Sequence, residues 1–238
     1  MEKFYRLWTP YLQSFNLVFK ETDIQIYSRE NLIEKAKIVL LKYRFLIENY
    51  GKKNPLFLTT LTPYPEDKKA PEIIQKMIKE SKKVGVGPMA SVAGAIVDFI
   101  GKELLSETKE IIIENGGDIF IKAKERKKIG IWCGKLAKIK KIVFEIEPKD
   151  TPLGICTSSA KIGHSLSFGN TDATTILAKN ATLADACATK VANIVKSERD
   201  IIEGIKFAKK IPGVKGVIIV IGNKIACWGK IKNLKFLV

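Results

Sequence analysis

Histidine and cysteine are scarce in this chain, which limits the metal sites it can build. Its 238 residues include one histidine, His164, and four cysteines without any C-x-x-C spacing: Cys133, Cys156, Cys187 and Cys227. A structural zinc site uses Cys and His ligands in closely spaced pairs. The scarcity disfavours such a site, and we expect the cysteines to be buried free thiols that pack as small hydrophobic side chains.

Long apolar runs and an export signal are also missing. The longest apolar runs, such as Val217 to Ile221, have the length of a strand, whereas a membrane helix needs about 20 residues. The segment from Met1 to Arg6 has neither the apolar core nor the small-residue cleavage site of a signal peptide. These features predict a cytoplasmic protein with no membrane association.

Arginine is scarce although the chain is strongly basic. The net charge is +16, and only five of the 41 basic residues are arginines. Nucleic-acid binders usually combine basic patches with aromatic side chains, whereas these lysines are spread along the whole chain. The pattern disfavours nucleic acid and favours a small anionic ligand such as a phosphate ester. A lysine-rich surface is also typical of heat-adapted, thermophile-like proteins.

The order of predicted elements indicates an α+β fold in a single domain, residues 1–238. The first half predicts strands at Phe15 to Phe19 and Ile24 to Tyr27 joined at Thr22–Asp23, helices at about Asn31 to Asn49, Pro71 to Ile78 and Pro88 to Leu105, and a loop at Asn54 to Ala70. The second half predicts strands at Ile129 to Cys133, Lys141 to Ile146, Leu153 to Thr157 and Asp172 to Ala178, helices at Leu183 to Lys196 and Arg199 to Lys209, and a hairpin of Val217 to Ile221 with Lys224 to Trp228. Each half runs strands, helices and a hairpin, the order expected of a duplicated unit with halves at about 13–133 and 140–238.

The segment Glu114 to Asp118 is the most informative part of the sequence. It reads Glu-Asn-Gly-Gly-Asp and lies between two apolar, strand-like runs. Asn115, Gly116 and Gly117 are residue types that supply the positive φ angles of a tight hairpin. A plain hairpin does not need two carboxylates and an amide beside bare backbone. We therefore expect a ligand or a cation to come close to this turn.

A second glycine loop, Gly85 to Ala90, matches the dinucleotide pattern G-x-G-x-x-A in the wrong setting. A helix precedes it where that fingerprint needs a strand, and Pro88 removes an N–H group that could bind phosphate. The loop opens a helix of small residues, whose free N–H groups could hold an anion beside Gly87 and Met89. Close packing of that helix against a sheet explains the same residues, so the sequence leaves both interpretations open.

Hydroxyl side chains surround the only histidine. Thr157, Ser158 and Ser159 lie a few residues before His164. An imidazole titrates near neutral pH, so this one could act as a general base or bind phosphate, or it could be structural. A Ser-His-Asp triad with Asp172 would need a nucleophile elbow, which the sequence does not have.

Asp185 and Thr189 form a candidate metal site. They are four residues apart at the start of a predicted helix, so they share one face, and the residues around them are small. A carboxylate and a hydroxyl, completed by a carbonyl from elsewhere, suit Mg²⁺. The alternative is an acidic residue that the helix dipole favours near an N-terminus.

Together these segments resemble a known family, the ApbE-type FAD:protein FMN transferases. The likeness lies in the order Asn-Gly-Gly-Asp-Ile from Asn115, Thr-Ser-Ser from Thr157, His164, and Ala-Asp-Ala-x-Ala-Thr from Ala184 to Thr189. The runs Gly85 to Gly94, Glu114 to Asp118 and Gly163 to Gly169 are more similar still to an uncharacterised stand-alone prokaryotic group related to those transferases. The likeness covers most of the chain from about Lys20 onward.

The resemblance implies an ApbE-like α+β fold with mostly antiparallel sheets and a flavin nucleotide, FAD or FMN, bound between its halves. It also implies Mg²⁺ on the pyrophosphate, with Asp185 and Thr189 as metal ligands. The turn from Asn115 to Asp118 would lie beside the nucleotide, and His164 would take part in FMN transfer.

The stretch after His164 departs from the family. The transferases continue with Ile-Asp-Pro-x-Thr-Gly, whereas this chain continues with Ser165 to Gly169, and it lacks the lipoprotein signal of the exported enzymes. Two hypotheses follow. The first is a flavin- and Mg²⁺-binding protein that transfers or cleaves at the pyrophosphate; the alternative is a non-catalytic binding module for another small anionic ligand. An exposed hairpin edge also leaves a homodimer open.

Overall fold

Two antiparallel sheets of unequal size form the framework of the protein. The computed structural model describes residues 12–134, 137–159 and 169–237. The strands are β1 (Gln13–Phe19), β2 (Thr22–Ser28), β3 (Ile111–Asn115), β4 (Asp118–Lys122), β5 (Lys127–Trp132), β6 (Lys141–Ile146), β7 (Leu153–Ser158), β8 (Ala173–Ala178), β9 (Val214–Ile221), β10 (Lys224–Gly229) and β11 (Lys232–Leu237). The large sheet has the order β1-β2-β3-β4-β7-β8-β9-β10, and the small one has the order β11-β6-β5.

Helices cover one face of the large sheet, and the small sheet covers the other. The helices are α1 (Ile33–Lys53), α2 (Pro55–Thr59), α3 (Glu72–Val84), α4 (Val92–Leu104), α5 (Ala181–Ile194) and α6 (Ile201–Lys210). Side chains alternate between the two cores, as the pleat of a strand requires: Ile111 and Ile113 pack with the helices, and Ile112 packs with the small sheet. Strands covered on both faces are buried throughout, and β8 is buried at every position.

The predicted α+β class with antiparallel sheets is confirmed, and the order of elements repeats. The hairpin β1-β2, helices α1 to α4 and hairpin β3-β4 are followed by the hairpin β7-β8, helices α5 and α6 and hairpin β9-β10. Antiparallel pairing of β4 with β7 joins the two series at the middle of the large sheet. This repeated order is what a duplicated unit would show, although duplication itself stays a prediction.

Three local predictions were wrong. The first turn lies at Lys20–Glu21 rather than Thr22–Asp23, because β2 already begins at Thr22, which pairs with Phe19. The predicted loop from Asn54 to Ala70 contains α2, which buries Phe57 between two tyrosine rings at 5.0 and 5.6 Å. β11 was not predicted, because an edge strand with little burial shows no clear apolar alternation.

The helices of the described residues do not include one that is long and apolar enough to cross a membrane. Only a pair bent by 100°, Glu72–Val84 with Pro88–Leu104, reaches the length and composition jointly. Both helices of this pair contribute side chains to the core on the helical side of the large sheet.

Candidate functional site

The glycine turn between β3 and β4 is a two-residue hairpin held in place on both sides. Gly116 and Gly117 have φ angles of 63° and 107°, and a carboxylate oxygen of Glu114 accepts the Gly117 N–H at 2.7 Å. Next to the turn, the N–H of Thr157 donates to the carbonyl of Gly117 at 3.2 Å. The end of β7 is therefore fixed against the turn, as the predicted grouping of these segments requires.

The two acidic residues of the turn lie on opposite faces of the large sheet. Glu114 lies on the side of the small sheet, whereas Asp118 lies on the helical side beside its cross-strand partner Cys156. On the first side a cleft of about 110 Å³ has a polar end and an apolar wall. Its lining residues are Glu114, Gly116, Gly117, Thr157 and Ser159 at the polar end, and Ile119, Ile129, Gly130, Ile131, Trp132 and Ile155 on the wall. This space is smaller than a typical small-molecule pocket of about 300 Å³, so a ligand there would extend out past the turn.

On the helical side, α4 and α5 cap each other's N-termini. Asp185 of α5 accepts the N–H of Gly94, in the first turn of α4, at 2.9 Å. Asp98 of α4 accepts the N–H groups of Ala181 and Thr182, at the start of α5, each at 2.8 Å. The hydroxyl of Thr182 also donates to Asp98 at 2.6 Å. Each helix thus satisfies N–H groups that would otherwise be unpaired at the other's N-terminus.

A close approach of backbones permits this reciprocal capping. A Cβ on Gly94 would stand 2.3 Å from the carbonyl oxygen of Ala181, and one on Gly154 of β7 would stand 2.1 Å from the Ala181 nitrogen. Both distances are far below van der Waals contact. Glycine at these two positions lets the start of α5 lie directly on α4 and on the sheet, next to the glycine turn.

The carboxyl groups near the turn, of which Asp118 and Asp98 are buried and Asp185 is half-buried, hold their protons more tightly than usual. Burial, with the neighbouring charges of Asp185 and Glu114, raises the pKa of Asp118 well above its ordinary value. Burial also raises the pKa of Asp185 to about 7, against the opposing N–H donors of Gly94 and Ala93. Asp98 likewise has a raised pKa because of burial, although its donors oppose the shift. A cation placed here would relieve the repulsion among these carboxylates.

The structure brings most of the predicted site residues to one region. The turn residues Asn115 to Asp118 lie beside Thr157, and Ser158 shares the helical face of β7 with Cys156, two residues before it. The charge of Asp185 raises the pKa of Asp118, and Thr189 lies one turn further along α5, partly exposed. In the part of the chain that is described, no group of three or more His, Cys, Asp or Glu side chains is arranged to hold a metal. Any metal at Asp185 would therefore take further ligands from hydroxyl, carbonyl or ligand oxygens.

Of the remaining predicted site residues, the structure describes Gly87 and Met89 but not His164. The N–H of Gly87 donates to the carbonyl of Leu61 at 2.9 Å, and a Cβ there would stand 1.8 Å from the carbonyl oxygen of Thr60. Close packing thus explains Gly87. Met89 lies half-buried in a 3₁₀ turn that packs on α5. His164 lies outside the described residues, so its role stays a prediction.

The anion expected at the start of α4 is supplied by the chain itself, because the carboxylate of Asp185 accepts the Gly94 N–H there. Sequence reasoning missed Asp98 and Trp132. Asp98 carried a signal, since it interrupts the apolar run from Val92 to Ile100, and the structure leaves it only 1% exposed. Trp132 carried no such signal in the sequence. It is the last residue of β5, and it lines the cleft only because the small sheet packs there.

The buried cysteines agree with the expectation of free thiols. Cys133, Cys156 and Cys187 are buried and form no disulfide, whereas Cys227 is free but exposed, so the expected burial is wrong for Cys227. Burial, with the nearby charge of Asp118, raises the pKa of Cys156 well above its ordinary value. Its thiol donates to the carbonyl of Ala181 at 3.3 Å, so it packs as a neutral side chain at the helical side of the site.

Comparisons with known proteins found a matching family and relatives that are similar over most of the chain. Residues 6–210 match the family described as AbpE bacteria. A UPF0280 protein of Methanocaldococcus jannaschii is 38% identical over 224 residues, covering 92% of this chain and 91% of the relative. A UPF0280 protein of Methanosarcina acetivorans is 34% identical over 228 residues, which covers 94% of this chain and 89% of the relative.

Solved structures of flavin transferases share the fold at low sequence identity. The flavin transferase ApbE of Vibrio cholerae aligns with a TM-score of 0.55 and 13% identity, covering 93% of this chain and 98% of that one. An ApbE protein of Thermotoga maritima aligns with a TM-score of 0.57 and 12% identity, covering 90% and 96%. At such identities the likeness shows the fold alone.

Proposed function

The chain belongs to the AbpE bacteria family, and from this premise we propose that it binds a flavin nucleotide, FAD or FMN, across the glycine turn. In this proposal Mg²⁺ lies on the side of Asp185 and Thr189. The nucleotide crosses Gly116 and Gly117, where no side chain blocks its approach. The net charge of +16 attracts such an anionic ligand.

The observation that carries this proposal is the pair of neighbouring carboxyl groups of Asp118, which is buried, and Asp185, which is half-buried, beside a bare turn. The charge of Asp185 raises the pKa of Asp118, and the charge of Asp98 raises the pKa of Asp185. The ionised forms of these carboxyls repel one another, a cation would relieve that repulsion, and Mg²⁺ prefers carboxylate, hydroxyl and phosphate oxygens. The cleft on the other face, with its isoleucines and Trp132, offers an apolar wall to one edge of a flat ring system.

The residues of the chain also suit a reaction at the pyrophosphate. When bound, Mg²⁺ neutralises phosphate charge. The bare backbone of Gly116 and Gly117 positions the nucleotide, and Thr157 and Ser159 offer hydroxyl groups at the polar end of the cleft. His164 is assigned, in this proposal, the proton of the attacking hydroxyl. Breakage of the P–O bond between the two phosphates would then transfer FMN to an acceptor hydroxyl or to water and release AMP.

The variant Asp185→Asn tests the metal-dependent binding. An amide still accepts the N–H of Gly94, so the cap of α4 is kept while the charge on the metal side is lost. We expect the Mg²⁺-dependent affinity for FAD to fall at least tenfold, or about 1.4 kcal/mol, in a titration of flavin fluorescence. Glu203→Gln is the matched control, because Glu203 is an exposed acid of α6. Equal affinities for both variants would contradict the assignment.

Catalysis and simple binding are separated by following the ligand. The alternative of a non-catalytic module is favoured by the sequence after His164, which lacks the Asp-Pro-x-Thr-Gly of the transferases. Prolonged incubation of the protein with FAD and Mg²⁺, followed by mass spectrometry, distinguishes the two. Release of AMP supports the reaction, whereas intact FAD at a saturated site supports the binding module.

A further inference from the structure

Helix α1 has a second apolar face, which points to solvent. Ile38, Leu41 and Phe45 are spaced three and four residues apart, so they form one stripe along the helix. Their exposed fractions are 66%, 37% and 64%. The opposite face of α1 packs in the core through Ala36, Val39, Leu40, Tyr43 and Ile47. The outer stripe, defined as Ile38, Leu41 and Phe45, is therefore apolar surface beyond what the fold needs.

Several charged residues on both sides of the outer stripe form ion pairs within the chain. On one side, Lys42 pairs with Glu103 at 2.6 Å, and Lys35 pairs with Glu107. On the other side, Glu48 pairs with Lys20 at 2.6 Å and with Arg44 at 3.0 Å. The stripe is thus bordered by ion pairs, and a partner meeting it would not have to neutralise these charges.

Two charges remain in line with the outer stripe, one at each end. Glu34 and Lys52 are exposed, and neither forms an ion pair with another described residue. Each is nine residues from Tyr43, which corresponds to about 13.5 Å along a helix axis. Leu41 and Phe45 are each two residues from the same point. The line therefore carries opposite charges at equal distances from its middle.

We propose that the outer stripe binds the outer stripe of a second copy of this chain, with the two α1 helices antiparallel and a two-fold axis that crosses the outer stripe at the level of Tyr43 along the helix. In this arrangement Leu41 packs on Phe45 of the second copy, and Glu34 meets Lys52 of the second copy. Two-fold symmetry repeats each contact. Ile38 lies opposite Glu48 of the copy, whose charge is already paired with Lys20 and Arg44.

Charge complementarity favours a second copy of the chain as the partner and an antiparallel arrangement of the two α1 helices. A parallel pair would place Glu34 against Glu34 and Lys52 against Lys52, so like charges would repel. The net charge of +16 opposes any association at low salt. At physiological ionic strength, electrostatic repulsion between two surfaces is largely screened beyond about 8 Å. We therefore expect the dimer to form at physiological salt and to be weaker in dilute buffer.

Sedimentation equilibrium of the full chain at physiological salt tests the proposal. We expect a monomer–dimer equilibrium whose dissociation constant rises at least tenfold in Phe45→Lys. Ile202→Lys is the matched control, because Ile202 is an exposed isoleucine of α6 at 60% exposure, and it should leave the constant unchanged. A wild type that stays monomeric, or a dimer that tolerates Phe45→Lys, would overturn the proposal.

Charge reversal tests the antiparallel direction. Glu34→Lys and Lys52→Glu should each weaken the dimer, and the double variant should restore it, because the pair is rebuilt with exchanged signs. A double variant no better than the single ones would overturn the antiparallel pairing. If the wild type is monomeric and Phe45→Lys lowers the thermal midpoint, another segment of the same chain covers the stripe, and the proposal is wrong.

Discussion

Asp185 has one role that the structure shows and one that the proposed function adds. Its carboxylate accepts the N–H of Gly94 and so fixes α4 to α5, and in the proposed function it also holds Mg²⁺. Burial raises its pKa to about 7, so a substantial fraction of the protein carries a neutral carboxyl at this position near neutral pH. Binding of a divalent cation would release that proton, because a metal ligand must be ionised.

The raised pKa makes the stability of the metal-free protein depend on pH. The folded carboxyl titrates at about 7 and the ordinary value is 3.8, so between these values the folded protein holds a proton that the unfolded chain has released. The stabilising contribution is fully present below about pH 4 and is lost as the pH rises towards 7. Asp185→Asn does not titrate. We expect its thermal midpoint to rise relative to that of the wild type between about pH 4 and pH 7, measured by differential scanning fluorimetry in EDTA.

Glu203→Gln serves again as the control, because an exposed acid has no comparable effect on the pH profile. Parallel profiles for the wild type and Asp185→Asn would show that Asp185 titrates in the same range folded and unfolded. The same variant is expected to lose metal-dependent FAD binding, so stability at high pH and function should change in opposite directions.

At the residue scale, local spacing was informative and distant pairing was not. The spacing of Asp185 and Thr189 placed both on one face of a helix that the structure confirms. The role of Asp98 could not be predicted, because its partners Ala181 and Thr182 lie 83 and 84 residues away in the sequence. For Gly87 the sequence left an anion site and close packing open, and the backbone of Thr60 beside it favours close packing.

Among the elements, the β3–β4 hairpin is the one whose shape the proposed function needs most. Its two glycines have different conformations. Gly116, at a φ of 63°, lies in the left-handed region that asparagine tolerates, whereas Gly117, at 107°, lies where a side chain is strained. A Cβ on Gly116 meets nothing within 4 Å. The two positions therefore form a matched pair for substitution.

Gly117→Ala should destabilise the protein by about 1–3 kcal/mol through backbone strain and should weaken FAD binding. Gly116→Asn should cost less than about 1 kcal/mol, because asparagine adopts the left-handed conformation readily. Chemical denaturation and the flavin titration measure both effects. Equal losses of stability would show that the turn relaxes and that its conformation is not fixed by Glu114 and Thr157.

Elements with strong alternation or periodicity were predictable, and weakly patterned ones were not. The run Ile111 to Ile113 followed by two glycines predicted the hairpin, and the paired strands confirm it. β11 lies at the edge of the small sheet with little burial, and α2 has five residues, too few for a helical period. Both depend on contacts with distant parts of the chain.

At the scale of the whole molecule, the site lies where the two series of elements meet. The β4–β7 pair joins them, and the α4–α5 contact joins them again on the helical side. The sequence predicted the content of each half, but not that β4 pairs with β7 or that β5, β6 and β11 form a separate sheet. Such pairings depend on packing among segments that are far apart, which local patterns do not record.

The central claim is that this junction holds a flavin nucleotide through Mg²⁺. The most direct measurement is calorimetric titration of the wild-type protein with FAD, in Mg²⁺ and in EDTA, with riboflavin as a ligand that has no phosphate. The account predicts that FAD binds at least tenfold more tightly in Mg²⁺, about 1.4 kcal/mol, and that riboflavin shows no such difference. Equal FAD affinity in Mg²⁺ and EDTA, or no binding of FAD in either, would contradict it.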